Sequence, residues 1–308
     1  MTAPGHGSDL LIVGSVALDS IETPSGSVER ALGGSATFAS VAASYFASPR
    51  VVAVVGEDFG DEHFARLESR GIDTSGIKRV PGGKTFHWKG RYHDNMQDRD
   101  TLETCLNVFE GFDPGLSERF RRSSHVFLGN IDPTLQAKVL DEVEDPRFVG
   151  VDTMNLWIAE ALAGLKEVLR RVDVLFINDE ESRQLTGERQ ILNAARAIMA
   201  LGPKYVVIKR GEYGAVLFGA ELSQFAPAVL LPRVVDPTGA GDAFAGGFMG
   251  FVAGAEEITR STLARAMRAG SAMASFAVER FSIDGLLELD SSRINARLDD
   301  LESMCSLT

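Results

Sequence analysis

Short apolar runs alternate along this chain with longer stretches that have the periodicity of amphipathic helices. Each run is continuous, which is typical of a strand buried on both faces of a sheet. The runs occupy residues 10–13, 51–55, 126–128, 149–151, 174–177 and 205–208, and the helical stretches include 36–46, 60–70, 158–171 and 190–201. This alternation predicts an α/β protein, a three-layer α/β/α sandwich with a mostly parallel central sheet. In such folds, ligands bind at the carboxyl ends of the strands.

One segment departs from this pattern. In residues 84–92, the aromatic side chains of Phe86, Trp88 and Tyr92 alternate with polar ones, as in an antiparallel strand with one exposed face. Residues 101–109 look like a partner strand, so we predict a β-hairpin lid at about 84–110. Its aromatic face needs a cover, which a substrate, a second subunit of a homodimer or the parent domain could supply. Without an internal repeat or a Pro- or Ser-rich linker, residues 1–308 are expected to form one domain with this lid.

Composition excludes several classes of protein. The chain has 31 Lys and Arg against 43 Asp and Glu, a formal charge of −12 without a basic patch, so we expect no nucleic-acid partner. Cys105 and Cys305 form neither a CxxC pair nor a disulfide framework, which indicates free thiols in a reducing compartment. The sequence shows no signal peptide and no membrane-spanning run, and a cytoplasmic protein without membrane contact is expected.

Three apparent motifs carry no chemistry. Residues 82–85 read Gly-Gly-Lys-Thr like the tail of a P-loop, but the glycine required six residues before that lysine is missing and a strand pattern follows. The chain after Gly14 lacks the GxGxxG of dinucleotide-binding proteins. His87 and His93 have no third metal ligand nearby, so they do not predict a metal site.

The strongest chemical signal is the small-residue stretch that contains Gly239, Ala240, Gly241 and Asp242. Backbone N–H groups without bulky side chains can point together at an anion, and a helix starting there adds its positive end. A carboxylate at the edge of that cradle can take a proton from an attacking hydroxyl. The alternative is a glycine-rich turn whose aspartate caps the next helix.

The run Asp236-Pro237-Thr238-Gly239-Ala240-Gly241-Asp242 resembles the C-terminal signature of the ribokinase superfamily, the phosphofructokinase B type of carbohydrate kinase. Other stretches resemble that family in the same order, across residues 10–287. The resemblance implies a ribokinase-like sandwich with a small β lid, ATP and Mg²⁺ as cofactors, and phosphoryl transfer to a hydroxyl. It implies Asp242 as the catalytic base and the amides of residues 239–241 as stabilisers of the transferred phosphoryl group.

The resemblance also implies an acceptor site near the first strand. Asp19, with Ser15, would hold substrate hydroxyls at the end of that strand, and Gly33 and Gly34 would bring the backbone to the substrate. Phe38 stands where ribokinases carry an asparagine that contacts a furanose, which argues against ribose and leaves a ring that could stack on a sugar or a base. From the residues alone, the alternatives are that Asp19 caps a turn and that the paired glycines form a tight turn.

The resemblance also implies nucleotide-binding roles for residues that follow the apolar runs 174–177 and 205–208. Asn178 and Glu181 would order Mg²⁺ through water, although their spacing is also that of a helix capping box. Asp152 to Asn155 end another strand and could face the same cleft. Asp236 is consistent with a K⁺ ion, but residues 279–282 show no obvious matching loop. The remaining residues expected at the nucleotide are Lys209, Gly211, Gly214, Thr238 and Gly270.

The acceptor is predicted to be a small neutral polyhydroxy molecule. Residues 14–20 and 32–40 contain no Lys or Arg, and Lys89 and Arg91 alternate with the lid aromatics, so they should point away from the substrate. The short segment before Gly33 and the residues that follow are similar to the myo-inositol kinase branch, which favours a sugar or cyclitol. The alternatives are a nucleoside kinase, a hydroxymethylpyrimidine- or pyridoxal-type kinase, and a non-catalytic sugar or nucleotide sensor.

Overall fold

Two β-sheets organise the protein. The structure is a computed structural model that describes residues 9–305. The strands are β1 (Asp9–Val13), β2 (Ala17–Thr23), β3 (Gly26–Gly33), β4 (Ser48–Gly56), β5 (Asp73–Val80), β6 (His87–Tyr92), β7 (Arg99–Cys105), β8 (His125–Leu128), β9 (Phe148–Asp152), β10 (Val174–Asn178), β11 (Tyr205–Lys209), β12 (Ala215–Gly219) and β13 (Leu222–Ala226).

The large sheet has nine strands in the order β13-β12-β11-β10-β9-β8-β1-β4-β5. Neighbouring strands from β11 to β5 are parallel, whereas β12 and β13 pair antiparallel at one edge. Every apolar run identified in the sequence lies in one of these strands, because a strand buried on both faces needs a continuous apolar sequence. The prediction of a mostly parallel central sheet is therefore confirmed.

Helices cover both faces of this sheet. They are α1 (Ser35–Ala43), α2 (Asp61–Glu68), α3 (Glu118–Arg121), α4 (Pro133–Glu142), α5 (Asn155–Glu160), α6 (Leu162–Leu169), α7 (Asp179–Thr186), α8 (Ile191–Met199), α9 (Ala240–Ala253), α10 (Arg260–Ala277), α11 (Asp284–Leu287) and α12 (Ser291–Ser303). Two hydrophobic cores result, one under α1, α9 and α10 and the other under α4, α6 and α8. The stretch 158–171 contains two helices, α5 and α6, where the sequence predicted one.

The lid is larger than the predicted hairpin. It is a four-stranded sheet in the order β3-β2-β6-β7, so the segment between Ala17 and Gly33 supplies half of it. In β7, the strand ends at Cys105, and residues 107–111 form a 3₁₀ turn where the sequence predicted more strand. Asp19 consequently lies on lid strand β2, which corrects its expected place at the end of β1.

The parent domain covers part of the lid's aromatic face. The Phe86 ring stacks on Phe109 with ring centroids 5.6 Å apart, and Tyr92 is buried. On the opposite face, Lys89 and Arg91 pair with Glu22, with closest approaches of 3.6 and 2.7 Å. Both cations therefore point away from the aromatic face, as the alternation predicted.

The lid touches the large domain at separate points. The Thr23 hydroxyl donates to the carbonyl of Val235 at 2.9 Å, and the Gln97 amide at the lid tip donates to Glu212 at 3.2 Å. The lysine–threonine pair of the rejected P-loop reading lies in the connection to β6, where Thr85 donates through its N–H and its hydroxyl to Asp58. No helix within residues 9–305 is both long and apolar enough to cross a membrane.

Candidate active site

Polar residues end three adjacent strands of the large sheet. Asp152 ends β9, Asn178 ends β10 and Lys209 ends β11, and these parallel strands bring the three residues to the same edge. The Lys209 ammonium pairs with an Asp152 carboxylate oxygen at 2.7 Å. This edge is where the parallel topology predicted a ligand site.

The first turn of α9 lies beside this edge. Gly239 precedes the helix with φ +75°, a conformation that side-chain-bearing residues rarely adopt, and no side chain caps the helix. A Cβ on Gly239 would lie 2.3 Å from the Phe38 ring, and a Cβ on Gly241 would lie 3.1 Å from the Lys209 Nζ atom. Only glycine fits at residue 239. The Ala240 N–H donates to the Pro237 carbonyl at 3.3 Å, and the N–H groups that follow it in the first turn leave a place for an anion.

Asp242 follows in the same turn, where its environment disfavours the charged form. Burial of the carboxyl group and the nearby charge of Asp152 raise its pKa to about 7, although Lys209 acts in the opposite direction. A carboxylate with that pKa suits a general base that works near neutral pH. Asp242 therefore has the position and the proton affinity expected of the catalytic base.

A second carboxylate with a raised pKa comes from the lid. Burial and the charge of Asp236 raise the pKa of Asp19 to about 7, while the N–H groups of Gly34 and Trp88 oppose the shift. The Oδ1 atom of Asp19 is buried without a hydrogen-bond partner. A Cβ on Gly33 would lie 1.9 Å from the other carboxylate oxygen, so the paired glycines make room for Asp19. The unpartnered oxygen is free to accept from a ligand hydroxyl.

Two of the residues expected at the acceptor have other contacts. The Ser15 hydroxyl accepts the N–H of Ser35 at 3.0 Å, so it serves the start of α1. Phe38 is 1% exposed and packs in the core beneath Gly239. Its ring is not presented to a ligand in this structure, which corrects the expected stacking role. The aromatic ring instead supports the turn before α9.

Asn178 and Glu181 form a complete capping box at the start of α7. The Glu181 N–H donates to the Asn178 side chain at 2.8 Å, and the Asn178 N–H donates to the Glu181 Oε2 atom at 3.0 Å. Burial raises the pKa of Glu181, and the Asn178 N–H partly offsets that effect. The capping box uses one carboxylate oxygen of Glu181, and both residues lie at the same sheet edge as Lys209.

The glycines expected at the nucleotide have different surroundings. Gly211 has φ +53° and open space around its Cβ position, whereas a Cβ on Gly214 would meet the carbonyl of Ala226 at 2.2 Å. Gly270 is buried in α10, where a Cβ would lie 2.9 Å from the carbonyl of Phe244 in α9. Gly270 thus allows two helices to pack closely, and its place beside a nucleotide stays a prediction.

The loop before α9 is held from several sides. Asp236 accepts the N–H of Thr238 at 2.9 Å and the N–H of Ser282 at 3.3 Å, and Thr238 donates through its hydroxyl to Tyr92 at 3.1 Å. The segment around Ser282, which showed no recognisable loop in the sequence, therefore does reach Asp236. Ser282 has φ +58°, an uncommon backbone conformation for serine.

Sequence reasoning missed some residues of this region. Tyr92 was recognised only as part of an aromatic face, and Arg99 was not considered. The Arg99 guanidinium lies 5.9 Å from the Trp88 ring centroid, and its charge lowers the proton affinity of Tyr92 and of Glu181. Arg99 in β7 pairs directly with Tyr92 in β6. The strand register within residues 84–110 was therefore the signal that could have located Arg99.

A separate depression of about 450 Å³ lies at the opposite end of the strands, lined by Asp9, Arg50, Glu118, Arg119 and Arg122. Its arginines are paired: Arg50 with Asp9 at 2.6 Å, Arg119 with Asp73 at 3.0 Å and Arg122 with Glu118 at 2.7 Å. These cations are already neutralised, and we do not take this depression as the active site.

A comparison with protein families matches residues 8–288 to the model described as pfkB family carbohydrate kinase. The chain belongs to this family. A member of the pfkB family is a phosphotransferase that acts on an alcohol group. The predicted ribokinase-like fold is also confirmed, because solved ribokinase-family kinases share it.

Relatives within this kinase family differ in their acceptors. The cytidine kinase of Thermococcus kodakarensis is 34% identical over 84% of this chain and 94% of its own length. A 2-dehydro-3-deoxygluconokinase of Thermoproteus tenax is 31% identical over 70% of this chain and 71% of its own length. Ribokinase of Arabidopsis thaliana, solved with ribose and ATP, superimposes with a TM-score of 0.77 at 20% identity over 95% of this chain and 99% of its own.

Proposed function

We propose that this protein transfers the γ-phosphoryl group of ATP to a hydroxyl of a small neutral polyhydroxy acceptor. The observation that carries this proposal is the position of Asp242 in the uncapped first turn of α9, beside the glycines that precede it. A base and an anion cradle in one turn are what phosphoryl transfer to an alcohol needs, because the protein contributes positioning and charge stabilisation to that reaction.

The acceptor would lie between the lid and α9. Asp19, with its unpartnered oxygen, would accept hydrogen bonds from two hydroxyl groups, beside the backbone of Gly33 and Gly34. Asp242 would take the proton of the attacking hydroxyl, while the amides of residues 239–241 stabilise the charge that develops on the phosphoryl oxygens.

The nucleotide would lie along the ends of β10 and β11, near Asn178, Glu181 and Lys209. The glycine-lined opening at Gly211 and the hydroxyl of Thr238 border the same region. Within the described residues, no cluster of three metal-ligating side chains exists, so Mg²⁺ would be held through water by Glu181 and by the phosphates. When bound, Mg²⁺ neutralises phosphate charge and orients the γ-phosphoryl group. A K⁺ ion beside Asp236 belongs to the same proposal, and comparing KCl with NaCl tests it.

Charge at the acceptor end supports a neutral acceptor. Lys89 and Arg91 are occupied by Glu22 on the outer face of the lid. Arg99 lies on the other side, where its guanidinium is 5.9 Å from the Trp88 ring centroid and its charge acts on Glu181 and Tyr92. The charges that act most strongly on Asp19 are the negative ones of Asp236 and Asp242, so this end of the site disfavours an acceptor phosphate.

Among neutral acceptors, we favour a nucleoside. The sequence patterns favoured a sugar or cyclitol, but the relative that is 34% identical over 84% of the chain is named a cytidine kinase. We propose that the half-buried ring of Trp88, whose backbone N–H acts on Asp19, stacks on the base. The relatives named 2-dehydro-3-deoxygluconokinase support a sugar acid as the second candidate, and its carboxylate places it outside the neutral class.

A panel of acceptors with Mg·ATP, read by ADP release, tests the proposal. It contains cytidine, adenosine, ribose, myo-inositol, 2-dehydro-3-deoxygluconate and fructose 6-phosphate, with the Asp242→Asn protein as the blank. We expect a nucleoside to give the highest kcat/KM. A phosphosugar or 2-dehydro-3-deoxygluconate with the highest value would overturn the neutral-acceptor proposal, because both are anions. No turnover of any acceptor would support a sensor instead.

A further inference from the structure

A buried ion pair crosses the end of β10. Lys209 extends from the end of β11 over its neighbour β10 to reach Asp152 at the end of β9, with 2.7 Å between Nζ and Oδ2. The Asp152 side chain is 5% exposed and the Lys209 side chain is 18% exposed. The pair is therefore shielded from water, where a Coulomb interaction is stronger than at the surface.

Asp152 is itself fixed in place. Its Oδ1 atom accepts the N–H of Thr153 at 2.8 Å, and its backbone carbonyl accepts from the Gln136 amide at 3.1 Å. One carboxylate oxygen is thus held by the backbone and the other by Lys209. Asp152 is a rigid partner for a lysine whose flexible four-carbon chain could otherwise adopt several positions.

The ammonium that Asp152 holds lies at the first turn of α9. A Cβ on Gly241 would be only 3.1 Å from the Lys209 Nζ atom. The charges of Asp152, Glu181 and Asp242 all act on this ammonium and outweigh the effect of burial, so its pKa is raised and it stays protonated. Lys209 consequently has three carboxylates within electrostatic reach, of which Asp152 forms the ion pair.

This choice of partner matters for catalysis. If Lys209 paired with Asp242, the ammonium would occupy the carboxylate that must accept a proton. Pairing with Asp152 keeps the cation beside Gly241 and leaves Asp242 free. The negative charge of Asp152 also acts on Asp242 and raises its affinity for a proton.

We propose that Asp152 is a positioning residue, which holds the Lys209 ammonium beside the first turn of α9 and keeps it from pairing with Asp242. This inference rests on the proposed phosphoryl transfer. It assigns a role to Asp152, a residue that need not touch either substrate. The buried Asp152–Lys209 pair would then fix the position of the Lys209 charge, in addition to joining two strands.

The test compares Asp152→Asn, Lys209→Met and the double variant by steady-state kinetics with the best acceptor of the panel. We expect Asp152→Asn to lower kcat about 10–100-fold with the acceptor KM within about threefold, because the acceptor is held elsewhere. The acidic limb of kcat/KM should move to lower pH, because both the lost Asp152 charge and a freed Lys209 lower the proton affinity of Asp242. The charges of Asp152 and Lys209 act on Asp242, and those of Asp152, Glu181 and Asp242 act on Lys209. Asp242 also interacts with the charge of Asp19 across the cleft.

The double variant should be no slower than Lys209→Met, since Asp152 acts through the lysine. Asp173→Asn is the matched control, because Asp173 pairs with Lys204 at the same 2.7 Å at the opposite end of these strands. It should leave kcat and the pH profile unchanged.

Several outcomes would overturn the proposal while the wild-type protein stays active. These are a kcat of Asp152→Asn within twofold of wild type, an unmoved acidic limb, or effects that multiply in the double variant. If Asp152→Asn does not fold, the neutral double variant is compared with Lys209→Met, and a double variant more than threefold slower contradicts the proposal. An inactive wild-type protein would instead reject the proposed phosphoryl transfer.

Discussion

The Tyr92 hydroxyl accepts a hydrogen bond from the Thr238 hydroxyl at 3.1 Å, which joins lid strand β6 to the loop that leads into α9. The lid carries Asp19 and the loop leads to Asp242, so this contact links the two carboxylates proposed to act on the acceptor. Burial raises the pKa of Tyr92, and the phenol therefore stays neutral.

Replacing Tyr92 with phenylalanine should loosen the lid. The lost hydrogen bond is worth about 0.5–1.5 kcal/mol, and the ring retains its size. We expect the acceptor KM to rise several-fold, with kcat less affected, and amide exchange in β6 to accelerate. Tyr45→Phe is the control, because Tyr45 donates to the carbonyl of Leu286 away from the lid. Unchanged KM and unchanged exchange would show that the contact does not hold the lid.

Asp242→Asn should remove the base and keep the anion cradle. We expect kcat to fall about 10²–10⁴-fold, while calorimetry shows ADP binding within a few-fold of wild type. Asp61→Asn, in the first turn of α2 and on the surface, is the matched control and should have wild-type activity. Turnover of Asp242→Asn within a few-fold of wild type would assign the base to another residue.

Raising the pH should increase activity and decrease stability. Asp242 and Asp19 each have a pKa raised to about 7 from 3.8, so the folded state binds their protons more tightly than the unfolded state. As the pH rises from 4 to 7, each of these carboxyl groups therefore lowers the free energy of unfolding. Over the same range kcat/KM rises, because Asp242 loses its proton and can act as a base.

Asp242→Asn isolates the stability part of this prediction. The variant should unfold at a higher urea concentration than wild type at pH 8, and the difference should vanish as the pH falls toward 4. A variant that is equally stable or less stable at pH 8 would contradict the raised pKa of Asp242.

Gly239→Ala should abolish activity. The added methyl would lie 2.3 Å from the Phe38 ring at φ +75°, so either the ring or the turn must move. Gly71→Ala is the control, because Gly71 has φ +71° with open space around it, and it should cost only about 1–2 kcal/mol of stability. Equal loss of stability in both variants, with activity retained, would show that the turn tolerates the displacement.

Glu181→Gln should separate the metal role of Glu181 from its capping role. A glutamine oxygen can still accept the Asn178 N–H, so α7 keeps its capping box, but the negative charge is lost. We expect the Mg²⁺ concentration for half-maximal activity to rise about tenfold at an unchanged melting temperature. Glu180→Gln, on the exposed side of the same turn, should change neither value. An unchanged Mg²⁺ requirement would leave Glu181 with capping alone.

The order of strands and helices could be derived from the sequence because each buried strand needs a continuous apolar run. Residues 10–13 and 174–177 illustrate this rule and lie in β1 and β10. The strands β12 and β13 were not predicted. The edge strand β13 is half exposed and mixed in sequence, whereas the short buried apolar run of β12 was missed. The glycines around Asp242 were also readable, because a close backbone approach leaves almost no choice of residue.

Only the tertiary structure decided which residues meet. Asp19 looked like the end of β1, yet strand pairing with β6 places it in the lid. Phe38 looked available to a ligand until the turn at Gly239 proved to lie directly on its ring. The Asp152–Lys209 pair joins residues 57 positions apart, and no local pattern encodes such a contact. Composition and periodicity report how each segment is buried, whereas the partner of a buried charge depends on which strands become neighbours in the sheet.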